Sequence, residues 1–238
     1  MRGAPGWGTN GTMPTDAPGA VLLDIDGTLA DSNYVHTFAW ARAFREVGHP
    51  VDAWRIHRSI GMGGELLLAE LLGDRVEELG EAAKEKHTEY YAQASQEVHR
   101  FEGVVELVAA LKERGAKVVL ATSAAPAELE ILEKLLEISD DVDAITSAQD
   151  VEEAKPDPDL VQKALDAVDV PAERAVFVGD TVWDVEAAAR AGVPCVGVLT
   201  GGVSEAELRE AGAVEVYHNV AAILEDLDSS PLRHAWER

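Results

Sequence analysis

The stretch VLLDIDGTLADS, Val21 to Ser32, decides the fold. Its apolar run, Val21–Leu23, stops at Asp24, Asp26 and Gly27. A short run that is apolar throughout fits a strand buried on both faces, the habit of parallel sheets. Residues i and i+2 of an extended chain point the same way, so Asp24 and Asp26 leave the strand's carboxyl end together. Gly27 permits a tight turn. Two anions this close repel, and they need a cation or a shared proton. An EF-hand calcium loop does not fit: it needs oxygen ligands through its fifth position, Gly at the sixth and flanking helices. Here Gly is fourth and a strand precedes.

Similar runs recur downstream: Lys117–Ala121, Asp143–Thr146, Ala175–Val178, Pro194–Leu199 and Val214–Tyr217. Between them the spacing predicts helices over Val104–Arg114, Ala127–Leu136, Pro158–Val168, Val182–Ala191, Ser204–Ala211 and Ala221–Leu227. Strand-helix alternation predicts an α/β fold with a doubly wound parallel sheet. One interval breaks it. From about Asn33 to Arg100 there is no strand-like run, only helical patterns over Tyr34–Val47, Asp52–Ser59, Gly64–Leu72 and Val76–Gln96. An insertion there would rest over the carboxyl ends of the strands, where ligands bind in open α/β sheets. The expected division is a core of residues 19–33 and 101–227, an inserted α-helical cap over 34–100, and tails at 1–18 and 228–238. The first tail, rich in Gly, Pro and Thr, is expected to be disordered or a start-site artefact, with Met13 as an alternative start.

The formal net charge of −24 repels phosphate backbones and anionic lipid, which argues against nucleic acid and membrane as partners. Solubility is the default reading of that acidity, and a salty habitat the alternative. No apolar run approaches the ~18 residues of a membrane helix. Cys195 is the single cysteine, in an apolar run, and reads as a small core residue; without a disulfide the chain reads as cytoplasmic.

A second acidic pair lies in GDTVWD: Asp180 at a strand end and Asp184 four residues on, in the first turn of a helix. Helix capping explains Asp184 alone, but not Asp180 together with the first pair. In a parallel sheet both pairs emerge on one rim, and such an oxygen-rich site suits Mg2+. The strand ending in LATSA offers the hydroxyls of Thr122 and Ser123 before a helix start, which suits a phosphate. Lys155, before Pro156, stands among Glu152, Glu153 and Asp157 and reads either as surface pairing or as a holder of phosphate and carboxylate oxygens.

DIDGTLADS, LATSA, AKPDP and GDTVWD, in this order, resemble the motifs of the haloacid dehalogenase superfamily of hydrolases, with its Rossmann-like core, over about Gly19 to Leu227. The insertion resembles the cap of its phosphoglycolate phosphatase and β-phosphoglucomutase branch. The resemblance implies that Asp24 is the nucleophile that forms an aspartyl phosphate, and Asp26 the general acid and base. It implies that Thr122, Ser123 and Lys155 bind the phosphoryl group. It also implies Mg2+ on Asp24, the carbonyl of Asp26, Asp180 and Asp184, and a small phosphorylated metabolite as substrate.

Asp26 weighs against the dehalogenases, which resemble this core but lack an acid two residues after the nucleophile. Tyr34–Trp40 resembles the early cap helix of the mutases, in which a His at the place of His36 helps align the general acid; a structural role for His36 is the bland alternative. RSIGMGGELL has Arg58 before Gly61 and no Arg just after it, unlike the mutases, which favours a hydrolase. Arg55, His57 and Arg58 are candidates for a substrate's carboxylate or hydroxyls, with solvent-exposed charge as the alternative for the arginines. Trp40 and Trp54 are expected to pack the cap. The phosphonate-cleaving branch of the superfamily uses a cap lysine for a Schiff base; Lys84 and Lys86 are expected instead on a solvated face. The remaining alternatives are a sugar-phosphate mutase, a 2-haloacid dehalogenase and a non-enzymatic metal- or phosphate-binding protein.

Overall fold

The computed structural model describes residues 18–151 and 153–237. The expectation for the amino-terminal tail therefore falls, but for Pro18, outside the described residues. Six strands, β1 (Ala20–Leu23), β4 (Lys117–Ala121), β5 (Ala144–Thr146), β6 (Ala175–Gly179), β7 (Cys195–Val198) and β8 (Glu215–Tyr217), form one parallel sheet in the order β5-β4-β1-β6-β7-β8. Consecutive side chains of each strand pack on opposite faces. Val21, Leu23, Val118, Leu120, Val176 and Val178 join one apolar cluster with helices α5 (Val104–Glu113), α6 (Pro126–Leu136) and α10 (Val220–Glu225). Ala20, Leu22, Val119, Ala175, Phe177 and Cys195 join the other with α7 (Asp159–Val168), α8 (Val182–Arg190) and α9 (Glu205–Ala211). This is the doubly wound sheet that the uninterrupted apolar runs demanded.

The winding reverses at β1. The chain goes from β1 to β4 and β5 on one side, then returns to β6 on the other. The crevice outside the carboxyl ends of such neighbours is where ligands bind in open α/β sheets.

Between β1 and β4 lie α1 (Asn33–Glu46), α2 (Ala53–Ser59), α3 (Gly64–Leu72) and α4 (Val76–Ala94). Phe44, Ile56, Leu71 and Tyr91 are buried among them and belong to the first cluster. The interval also holds strand structure that its composition did not announce. β2 (Ala30–Asp31) and β3 (His99–Arg100) pair antiparallel, so the chain enters and leaves the helical segment through one two-stranded ribbon. Runs of two residues are too short to carry a hydrophobic period.

The carboxyl-terminal stretch expected as a tail is built in. Leu232 and Ala235 are fully buried, and the Gly19 N–H donates to Ala235 O at 2.8 Å. A side chain on Gly19 would come within 2.9 Å of the Ala235 backbone. Among the described residues no helix is long and apolar enough to cross a membrane.

Candidate active site

Adjacent strands β1 and β6 carry the two acidic pairs to one rim. Carboxylate oxygens of Asp24, Asp180 and Asp184 lie within 4.8 Å of one another, all buried. Lys155 completes the cluster from the loop before α7. Its Nζ donates to Asp24 Oδ1 at 2.6 Å and to Asp184 Oδ1 at 2.7 Å, and the residue is 1% exposed. The surface-pairing reading of Lys155 is therefore wrong: its pairing is internal. Asp184 Oδ2 also accepts from the Thr181 N–H and Oγ1, the capping box of α8. Asp180 accepts from Thr28 Oγ1 at 3.0 Å and Asn33 Nδ2 at 2.8 Å.

Three carboxylates against one ammonium leave a formal excess of two negative charges. Burial first, then Lys155 against and Asp184 with it, pushes the Asp24 carboxyl up to about 8. Burial and the neighbouring Asp184 and Asp24 push Asp180 well up too. The protein alone thus leaves these groups under-neutralised. An all-oxygen donor set with this charge deficit fits a hard divalent cation.

Asp26 sits beside this cluster, bonded to Ser32 Oγ at 2.5 Å and in contact with His36 Nε2 at 3.2 Å. Burial would raise its carboxyl, but His36 and Ser32 together hold it below the ordinary range. His36 is raised: its own burial is outweighed by Asp26. The bland reading of His36 as a merely structural residue therefore leaves out its main contact.

Thr122 is fully buried; its Oγ1 accepts from the Ala124 N–H at 3.1 Å. Ser123, Asp24, Asp26 and Lys155 line a cavity of about 440 Å3, and Met62 and Lys84 of the helical segment line it too. Lys84 is exposed, as expected, and in addition borders the cavity. Lys86 lies on the outside, pairing with Glu46 and Glu89. Arg58 is taken by Glu207 at 2.6 Å, Arg55 is exposed, and neither lines the cavity. His57 Nε2 instead meets Gly201 O at 3.0 Å. Trp40 packs as expected, whereas Trp54 is 68% exposed.

Two residues escaped the sequence reading. His87 Nε2 lies 3.1 Å from His36 Nδ1, and His87 Nδ1 lies 3.3 Å from Glu128 Oε1. His87 falls in a polar helix and Glu128 at a helix start, where a capping role hides any other.

Known proteins resemble the chain over most of its length. The chain is 28% identical over 216 residues to a phosphoglycolate phosphatase from Rhodospirillum rubrum, covering 87% of this chain and 89% of that one. It is 29% identical over 187 residues to a pyrophosphatase PpaX from Bacillus thuringiensis, covering 75% and 82%. The crystal structure of a hydrolase from Pseudomonas syringae superimposes with a TM-score of 0.85 at 35% identity, covering 89% and 98%. Residues 18–192 match the model of the haloacid dehalogenase-like hydrolases, and the chain belongs to that family.

Proposed function

We propose that this hydrolase is a Mg2+-dependent phosphatase that cleaves a small phosphorylated metabolite through an aspartyl phosphate on Asp24. The observation that carries the reading is the shared Lys155 ammonium between Asp24 and Asp184, with Asp180 alongside and Asp26 at the cavity wall. A carboxylate approaches a phosphate dianion only where cations offset the repulsion. Asp24, the carbonyl of Asp26, Asp180 and Asp184 would hold the ion. Bound there, Mg2+ supplies charge neutralisation and Lewis acidity toward phosphoryl oxygens.

Asp24 Oδ forms the bond to phosphorus as the bond to the leaving oxygen breaks. Asp26 gives that oxygen its proton. Asp26 then takes a proton from the water that attacks phosphorus, releasing phosphate and restoring Asp24. Lys155 keeps Asp24 oriented, while Ser123 and the backbone after β4 would receive phosphoryl oxygens. The helical segment acts as a cap. Hydrolysis is favoured over a mutase because, among the described residues, no arginine lines the cavity to grip a second phosphate. Asp26 weighs against dehalogenation, in which halide departs without a proton.

The test is a panel of phosphorylated metabolites, beginning with phosphoglycolate and pyrophosphate, with Mg2+ and with EDTA. Phosphate release should vanish with EDTA, return with Mg2+, and fall by about 10⁴-fold or more in Asp24→Asn. Isomerised sugar phosphate without phosphate release would point to the mutase, and halide release from a 2-haloacid would overturn both.

A further inference from the structure

Asp26 must carry a proton to the leaving oxygen, and its carboxyl group stands at one end of a row of buried side chains. Asp26 Oδ1 meets His36 Nε2 at 3.2 Å, His36 Nδ1 meets His87 Nε2 at 3.1 Å, and His87 Nδ1 meets Glu128 Oε1 at 3.3 Å. Each histidine uses one ring nitrogen toward each neighbour, so the row has three links and no branch. A metal ion held by His36, His87 and Glu128 would have to take the place of the row's protons. The Tyr91 ring stacks on His36 at 4.1 Å and the Trp40 ring on His87 at 4.0 Å, which holds both imidazoles in the line. Glu128 is fixed at the far end, because its Oε2 accepts from the Ala125 N–H at 3.1 Å.

We propose that His87 and Glu128 are positioning residues which, through His36, store the proton that Asp26 delivers and recovers. The inference rests on the phosphatase reading and deepens it.

The proton count supports it. Three protons fill three links in every satisfied arrangement. With Asp26 protonated, Asp26 donates to His36, His36 to His87, and His87 to the Glu128 carboxylate. With the protons moved the other way, Glu128 donates to His87, His87 to His36, and His36 to Asp26. Between these lies a His36 imidazolium flanked by neutral His87. The formal charge of the row is −1 throughout, so the shift exchanges nothing with solvent. The directions agree: burial and then His36 lower His87 well below the ordinary histidine range, while burial raises Glu128. When Asp26 gives its proton away, two protons remain for three links. Moving both toward Asp26 places the empty link between His87 and Glu128, away from the reacting atoms. The proton taken from water refills the row.

Glu128→Gln isolates this role. The amide oxygen can keep the cap on the Ala125 N–H while the amide nitrogen donates permanently to His87. The row is then polarised toward Asp26, which is held as a carboxylate. The acid step should suffer and the base step should not. With an alkyl phosphate, whose leaving oxygen needs a proton, kcat should fall about 10- to 100-fold with KM within about twofold. With p-nitrophenyl phosphate, whose leaving group departs as an anion, kcat should stay within about twofold. Equal loss on both substrates, or loss on neither, overturns the proposal. Ring ¹⁵N resonances give a second readout that needs no turnover. The His87 proton should sit on Nδ1 in the wild type and on Nε2 in Glu128→Gln, and an unchanged tautomer overturns the proposal too. If the wild type cleaves neither substrate, the phosphatase reading has failed, and the tautomer measurement still decides whether the row polarises as described.

Discussion

At the scale of single residues, the opening stretch places two carboxylates of opposite temperament side by side. Asp24 is surrounded by acids and burial and is pushed up to about 8; Asp26, two residues on, is held down by His36 and Ser32. The first is short of positive charge and the second is supplied with it. A folded-state pKa raised above the unfolded 3.8 means that the native protein binds the extra proton. That contribution to stability is present at low pH and is lost as pH rises toward 8. His36, also raised, acts in the same direction above its ordinary 6.5. The metal-free protein should therefore lose thermal stability between about pH 6.5 and 8, and saturating Mg2+ should flatten the slope. Melting curves across that window decide it; a metal-free protein that gains stability with pH would contradict the charge deficit. Cys195, buried at 3% exposure and raised by burial, stays a core residue.

At the scale of elements, what was legible is what leaves a period in the chain. β1, β4 and β6 bury both faces, so an apolar run of four or five residues announces each of them. The motif residues Asp24, Asp180 and Asp184 follow strands or begin a helix, and topology brings them together, with Lys155 joining from the loop before α7. The row from His36 to Glu128 left no such trace. His36, His87 and Glu128 come from α1, α4 and α6, and they meet only once those helices pack. Trp54 misled in the other direction, since an aromatic in an amphipathic pattern reads as core until the partner surface is known. The turn after β1 can be tested directly. Gly27 has φ +75°, and a Cβ there would come within 2.4 Å of Asp180 Oδ2. Gly27→Ala should cost about 1 kcal/mol in backbone strain alone, lowering Tm by about 2–4 °C. It should also raise the Mg2+ concentration needed for half-maximal activity, because Asp180 must move. A variant with unchanged metal dependence would show that Asp180 tolerates the displacement.

At the scale of the whole molecule, a protein of formal charge −24 is expected to receive an anionic substrate. Lys155 offers little long-range help, because its ammonium is already shared between Asp24 and Asp184. The repulsion acts on approach, over distances that salt screens; the Debye length is about 10 Å at 0.1 M. With Mg2+ saturating, kcat/KM for a phosphate dianion should therefore rise severalfold as NaCl goes from about 0.02 to 0.2 M, while kcat changes little. A fall in kcat/KM over that range would mean that the cavity's own field is attractive. The β2–β3 ribbon sets one condition on the segment above the cavity: its way in and its way out are paired to each other, Ala30 with Arg100 and Asp31 with His99. Any displacement of that segment as a unit would have to carry both strands together, like the two leaves of one hinge.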